Sequence, residues 1–174
     1  MKRTSSSSGA GAGFEVRELR AEDLRNGLLE TLQSLSDLEG LTPAVARQAL
    51  SEMKQRPAGH NVLVAVTSEG SVIGATTLLV ERKFIHAGGR VGHIEDVSVR
   101  RGHEGKGVGR ALVGEAVGLA RKLGCYKCIL NCDPDLVGFY EKLGFARHDV
   151  GMRLDLRPRK QTPRASSRSS GTGT

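Results

Sequence analysis

Three glycines, Gly105, Gly107 and Gly109, alternate with Lys106, Val108 and Arg110 directly after Glu104. Residues without side chains at the entry to a helix let successive backbone N–H groups close around an anion, and the helix dipole adds partial positive charge there. A pyrophosphate fits such a cradle. A dinucleotide fingerprint would need its third glycine two residues further on and an acid about 20 residues later, and a P-loop needs Gly-Lys followed by Ser or Thr. Neither is present. A surface turn without a ligand is the alternative, but a turn has little use for three alternating glycines that run into a helix.

A second candidate lies just upstream, where Glu95 and Asp96 sit inside the apolar run Val91 to Val99. Ile94 is followed by Val97 and Val99, an odd step where a strand with one buried face demands an even one. Keeping all three side chains on the core requires the alternation to slip at Glu95-Asp96, as a β-bulge does; the alternative leaves Val97 on the exposed face. Paired acids on a strand are ordinarily a solvated face. At a bulge they are re-aimed, which makes them candidates for proton transfer.

The elements that must position these residues follow from periodicity. Phe14 to Leu19 alternates as a strand, and Leu24, Leu28, Leu32 and Leu35 fall at helical spacing. Thr42-Pro43 starts a second helix that Arg56-Pro57 and Gly59 end. Val62 to Thr67, Val72 to Phe84 and Val91 to Val99 form an antiparallel meander with a loop at His86 to Gly89. After the glycines the period turns helical through Leu123. Tyr126 to Cys132 reads as a strand, Asp133-Pro134-Asp135 opens a short helix to Leu143, and Phe145 to about Leu156 is a last strand. The order βααβββαβαβ gives an α/β fold, a mixed sheet flanked by helices, in one domain over residues 14–156.

The formal charge of +7 lies in the tails: residues 1–13 and 157–174 hold seven basic residues and no acid, so the body is neutral. A basic binding face on the domain is therefore not indicated, and nucleic acid is not expected as a partner. Both tails are rich in Ser, Gly, Thr and Arg and read as disordered. No apolar stretch is long enough to span a membrane, and no signal or organelle address is read, so the cytoplasm is the expected location. Cys125, Cys128 and Cys132 lack the paired spacing of a zinc site and are expected to be buried thiols, with no metal.

Taken together, the bulged strand, the glycine loop and the helix resemble the GNAT superfamily, whose Gln/Arg-x-x-Gly-x-Gly/Ala loop holds the pyrophosphate and pantetheine of acetyl-CoA. Glu81-Arg82-Lys83-Phe84-Ile85-His86, Gly92-His93-Ile94-Glu95-Asp96-Val97, Cys125-Tyr126-Lys127 and Val137 to Phe145 with its Phe139-Tyr140 pair are similar to the glucosamine 6-phosphate N-acetyltransferases. The resemblance covers Phe14 to about Leu156. It implies the GNAT fold with a bulged central strand, acetyl-CoA as cosubstrate, glucosamine 6-phosphate as acceptor, a homodimer with shared sites, and a place in UDP-N-acetylglucosamine biosynthesis.

On that resemblance Val97, Ser98, Val99, Glu104 to Arg110, Asn131, Tyr140 and Lys142 hold the cofactor. Ser36, Lys83, Phe84, Ile85, His86, Glu95, Asp96, Val97, Tyr126 and Lys127 line the sugar-phosphate site. An N–H freed at Val97 would stabilise charge on the thioester oxygen, Tyr140 would serve the leaving thiolate, and Glu95 or Asp96 would receive the amine's proton. The chain departs from the family pattern at Glu104, where Gln or Arg is usual, and at Asn131, where an acid is usual. Leu136 replaces an asparagine, and Asp155 an arginine for which Arg153 and Arg157 are possible substitutes. Two rivals remain: an RNA-binding module, which lacks stacking aromatics, and an acetyltransferase for a polyamine or a peptide, which Lys83 and Lys127 disfavour because a cationic acceptor calls for an acidic pocket.

Overall fold

Five strands lie in sequence order across one sheet: β1 (Phe14–Glu18), β2 (His60–Thr67), β3 (Val72–Arg82), β4 (Arg90–Val99) and β5 (Cys125–Ile129). The computed structural model describes residues 13–38, 40–55 and 59–156. β1 to β4 pair antiparallel, and β5 joins β4 in parallel, as a connection through a crossover helix requires. The helices are α1 (Leu28–Leu32), α2 (Pro43–Lys54), α3 (Val108–Lys122) and α4 (Val137–Glu141). The tails 1–12 and 157–174, with Arg157, and the helix stop at Arg56-Pro57 lie outside the described residues.

Alternation along β2, β3 and β4 fills two cores. Leu63, Ala65, Ile73, Leu78 and Ile94 face Val108, Leu112, Val113, Ala116 and Ala120 of α3. Val64, Val66, Val72 and Ala75 face Leu28 of α1 and Ala46 and Leu50 of α2. Gly74 lets α3 sit this close, since a Cβ there would fall 2.6 Å from Val108 Cγ1 and 2.8 Å from Leu112 Cδ1. Thr42 caps α2 as read from the sequence, its hydroxyl accepting from the Val45 N–H at 3.3 Å behind Pro43.

Three elements differ from the sequence reading. The leucine series does not make one helix: a 3₁₀ turn (Ala21–Arg25) precedes α1, and Gly27 at φ 101° separates them. Polar bonding overrides the apolar period there. Asp23, fully buried, accepts from Arg17 Nη1 at 2.7 Å, Arg17 Nη2 at 2.8 Å and the Arg20 N–H at 2.7 Å. Burial opposes its ionisation, yet these bonds outweigh it and hold its pKa below the ordinary value. The loop at His86–Gly89 is tighter than a plain turn: His86 (φ 53°), Ala87 (φ 54°) and Gly88 (φ 73°) form a left-handed turn that is costly for residues bearing a Cβ.

The third difference is the last strand. Residues 145–156 form no strand, and Val150, Met152, Leu154 and Leu156 are 82 to 91% exposed. Their alternation suits a sheet, but a strand exists only against a ladder partner, and the described part of the single chain supplies none.

Candidate active site

The site is a gap in the sheet. β4 and β5 pair from Arg90↔Cys125 to His93↔Ile129 and no further, although β4 continues to Val99. The strands therefore part beyond His93. The space between them opens into a cleft of about 860 Å³ lined by His93, Glu95, Tyr126, Lys127, Asn131, Cys132 and Tyr140, with the chain from Leu143 to Gly151 along its rim.

On the other edge of β4 the bulge lies where the odd apolar step put it. Thr77 pairs with Glu95 and Ala75 with Ser98, so Asp96 and Val97 together oppose Thr76. Asp96 takes the extra turn at φ 53°. Ile94, Val97 and Val99 all reach the α3 core, which excludes the alternative of an exposed Val97. The kink is clamped by two residues whose part the sequence did not disclose. Buried Thr76 donates its hydroxyl to the Glu95 carbonyl at 3.0 Å, and buried Ser98 donates to the Thr31 carbonyl at 2.7 Å. A threonine in a strand reads only as a β-former, so Thr76 carried no signal. Ser98 was expected at the cofactor; its side chain is instead committed to α1, leaving only its backbone for a ligand.

The glycine loop enters α3 with its main chain uncovered. Gly105 (φ 73°) and Gly107 (φ 82°) lie in the left-handed region, and a Cβ on either would meet nothing within 4 Å, so their space is open. No side chain caps α3, and the first helical bond runs from Ala111 N to the Gly107 carbonyl at 3.0 Å. The N–H groups of Val108, Gly109 and Arg110 are thus without helical partners. Val108 itself is buried, so only its backbone can serve a ligand, while Lys106 and Arg110 are exposed. Glu104 turns away from the cradle: its carboxylate accepts from the Gly102 N–H at 2.6 Å. The N–H groups of Glu104 itself and of Gly102 hold its carboxyl below the ordinary range.

Tyr140 faces the gap from α4, wedged edge-on between Phe139 at 4.9 Å and Phe145 at 6.0 Å between ring centroids. It is 7% exposed, and its hydroxyl has no hydrogen-bond partner among the described residues. Burial raises its pKa, and the nearby Cys132 thiol adds to the rise. Asn131 lies on the same wall, its Oδ1 so near the chain at Gly151 that a Cβ there would stand 3.2 Å away. Lys142 is exposed at the end of α4 and does not line the cleft.

The acceptor residues gather where β3, β4 and β5 are still joined. Glu81 Oε2 pairs with Lys83 Nζ at 2.6 Å and with His93 Nε2 at 3.0 Å, and these two bonds, Lys83 first, hold the Glu81 carboxyl below its usual range. The sequence places His93 within the Gly92–Val97 match without assigning it a role. Lys83 is therefore not a free cation. Lys127 is: it forms no salt bridge among the described residues and stands 5.9 Å over the Tyr126 ring, which itself packs on His86 at 4.5 Å. Phe84 is fully exposed and Ile85 largely so, and neither lines the chain's own cleft. Ser36 lies in the exposed segment after α1, its N–H donating to the Leu32 carbonyl at 3.2 Å and its hydroxyl to the neighbouring Asp37 carbonyl at 3.5 Å. The cysteines split: Cys125 and Cys128 are half-buried against the core, whereas Cys132 is exposed, against expectation, because β5 ends before it.

Comparison with known proteins agrees with this geometry. The acetyltransferase (GNAT) family model matches residues 23–145. Glucosamine 6-phosphate N-acetyltransferase 1 of Oryza sativa subsp. japonica is 43% identical over 147 residues, 84% of this chain and 89% of that protein. The glucosamine 6-phosphate N-acetyltransferase of Candida albicans is 36% identical over 80% of this chain and 94% of its own. The crystal structure of glucosamine-6-phosphate N-acetyltransferase from Arabidopsis thaliana aligns with a TM-score of 0.79 at 29% identity, over 83% of this chain and 99% of that one. On these matches the chain belongs to the GNAT acetyltransferase family and, within it, to the glucosamine 6-phosphate N-acetyltransferases.

Proposed function

We propose that this chain transfers the acetyl group of acetyl-CoA to the amine of D-glucosamine 6-phosphate, giving N-acetyl-D-glucosamine 6-phosphate and CoA. The observation that carries this reading is the gap between β4 and β5, with an open backbone cradle beyond one end and the cations Lys83 and Lys127 at the other. A cradle for a pyrophosphate and a cationic acceptor site suit two anions held apart. The residues fit acetyl-CoA: free helix N–H groups for its pyrophosphate, and on the cleft wall a phenol hydroxyl without a partner among the described residues for its sulfur.

In this reading the amine attacks the thioester carbon directly. The N–H of Val97, out of register with β3, is the donor assigned to the carbonyl oxygen as negative charge develops there. Tyr140 gives a proton or a hydrogen bond to the departing sulfur, and its raised pKa keeps it protonated at neutral pH. Glu95 and Asp96 receive the amine's proton, directly or through water, because Asn131 is an amide and serves only to orient a partner. Free thiols at Cys125, Cys128 and Cys132 favour a reducing, cytoplasmic setting, and the product would supply UDP-N-acetylglucosamine synthesis.

We also propose a homodimer. The exposed alternating series Val150, Met152, Leu154 and Leu156 has the pattern of a strand whose ladder partner is a second copy, and Phe84 and Ile85 add apolar surface to be covered. Light scattering at assay concentration checks this, and a monomer would end it. The activity is tested by thiol release from acetyl-CoA over glucosamine 6-phosphate, glucosamine and peptide amines. The phosphorylated sugar should be strongly preferred; equal turnover of a peptide amine would overturn the assignment.

A further inference from the structure

The three cysteines lie in one short segment yet differ in surroundings. A slip of β5 against β4, between Arg90↔Cys125 and Val91↔Lys127, turns Cys125 and Cys128 to the same face, where both pack on the α3 core. Cys128 Sγ is so close to β4 that a Cβ on Gly92 would stand 3.1 Å from it. Burial pushes both thiols up, away from the reactive thiolate form. Cys132 comes after the strand has ended and is exposed on the wall of the gap.

On the same wall, near enough for the Cys132 thiol to act on its phenol, stands Tyr140, a residue more than nine-tenths buried with its hydroxyl unpartnered among the described residues. The hydroxyl is not sealed inside the protein, and on the cleft side it is open to a ligand atom. On the acetyl-CoA reading that atom is the pantetheine sulfur, which brings it to the wall that carries Cys132. We propose that Cys132 is a modification site at which the disulfide of CoA exchanges, leaving CoA tethered in the gap as a mixed disulfide that blocks the enzyme until a thiol reductant removes it. The inference rests on the acetyl-CoA reading. In the exchange the Cys132 thiolate attacks one sulfur of the CoA disulfide, the S–S bond breaks, and a new S–S bond joins Cys132 to that sulfur. The other CoA leaves as a thiolate and takes up the proton that Cys132 gave up, so Cys132 is oxidised and one CoA reduced.

The test treats the full-length protein with CoA disulfide or glutathione disulfide and follows intact mass, peptide mapping and residual acetyl transfer. The expected result is one CoA adduct on Cys132, formed at least about tenfold faster than the glutathione adduct because binding raises the effective concentration of the disulfide. Saturating acetyl-CoA should slow it, activity should fall at least about tenfold in step with the adduct, and dithiothreitol should restore it. Cys132→Ser should take up no CoA, and mapping the wild-type adduct gives the answer independently of that variant's folding. An adduct on Cys125 or Cys128, equal rates with the two disulfides, indifference to acetyl-CoA, or full activity in the adduct would each overturn the proposal. Absence of acetyl transfer to glucosamine 6-phosphate without any disulfide would instead break the underlying function, so the two failures are distinguishable.

Discussion

The two halves of the gap are built from different material. On the cofactor side, residues 96–99 and 105–110 offer main chain: Val108 and Ser98 turn their side chains into the protein, and Glu104 turns back on its own loop. The donors are placed by the bulge and the helix, which are themselves anchored by the core. On the acceptor side the groups are side chains, several of them exposed: Glu81, Lys83, His86, Tyr126 and Lys127, around a left-handed turn. A site made of backbone is fixed by the fold and tolerates varied sequence as long as its torsions survive. One made of side chains changes its ligand with a single substitution. The fold therefore accounts for acetyl transfer, and a few surface residues select what is acetylated.

The largest expected effect falls where the halves meet. Tyr140→Phe keeps the ring packing on Phe139 and Phe145 but removes the hydroxyl. If it acts on charge that develops at sulfur in the transition state, kcat should fall about a hundredfold or more with both KM values little changed. Because burial, and then Cys132, raise the Tyr140 pKa, the protonated form persists above the ordinary tyrosine range, so the wild-type alkaline limb should lie beyond it and be absent in the variant. An unchanged kcat at saturation would remove Tyr140 from the mechanism.

Lys127→Ala should separate the halves cleanly. Loss of a charge-assisted phosphate contact costs about 1.5 to 3 kcal/mol, or roughly ten- to a hundredfold in KM for glucosamine 6-phosphate. The KM for acetyl-CoA and turnover of unphosphorylated glucosamine should hardly move. Lys83→Ala should do less, since Lys83 is already paired with Glu81 and must exchange one anion for another. If acetyl-CoA binding weakened in Lys127→Ala, the division between the halves would be wrong.

On the cofactor side Gly107→Ala forces a Cβ into a left-handed conformation at φ 82°. That costs about 1 to 2 kcal/mol. Acetyl-CoA KM should rise by roughly tenfold with sugar KM unaffected, as initial rates against each substrate would reveal.

The same contrast governs what could be read before the fold was known. The bulge was legible because the odd step from Ile94 to Val97 is a packing constraint written in apolar residues, and the cradle because glycine is nearly the sole residue that tolerates Gly107's torsion. The clamp at Thr76 and Ser98, the exposure of Cys132 and the pairing of Lys83 with Glu81 were not legible, since each depends on which strand lies beside which and where it ends. The 3₁₀ turn at Asp23 was hidden behind leucines at helical spacing because its cause, a buried carboxylate bonded to Arg17 and Arg20, is not periodic. The missing last strand is the reverse case. Its pattern is sound, but the pattern calls for a partner that the described single chain does not contain.

The smallest effect is the sharpest check on the backbone argument. Gly105, Gly107 and Gly109 look equivalent in sequence, yet Gly109 does not share the positive φ of the other two. A Cβ on Gly109 would rest 3.5 Å from Phe139 Cζ and 3.6 Å from Val99 Cγ2, ordinary van der Waals distances that require no movement. It lies in the first turn of α3, where alanine is the better helix former by about 0.8 to 1 kcal/mol. Its N–H is retained, so the cradle keeps every donor. Gly109→Ala should therefore leave both KM values and kcat within about twofold and raise the midpoint of thermal unfolding slightly, by an increment that the helix propensity gain sets. A loss comparable to that of Gly107→Ala would mean that the ligand presses on this position directly. The cradle would then be shaped by space at its third glycine as well as by torsion at the first two.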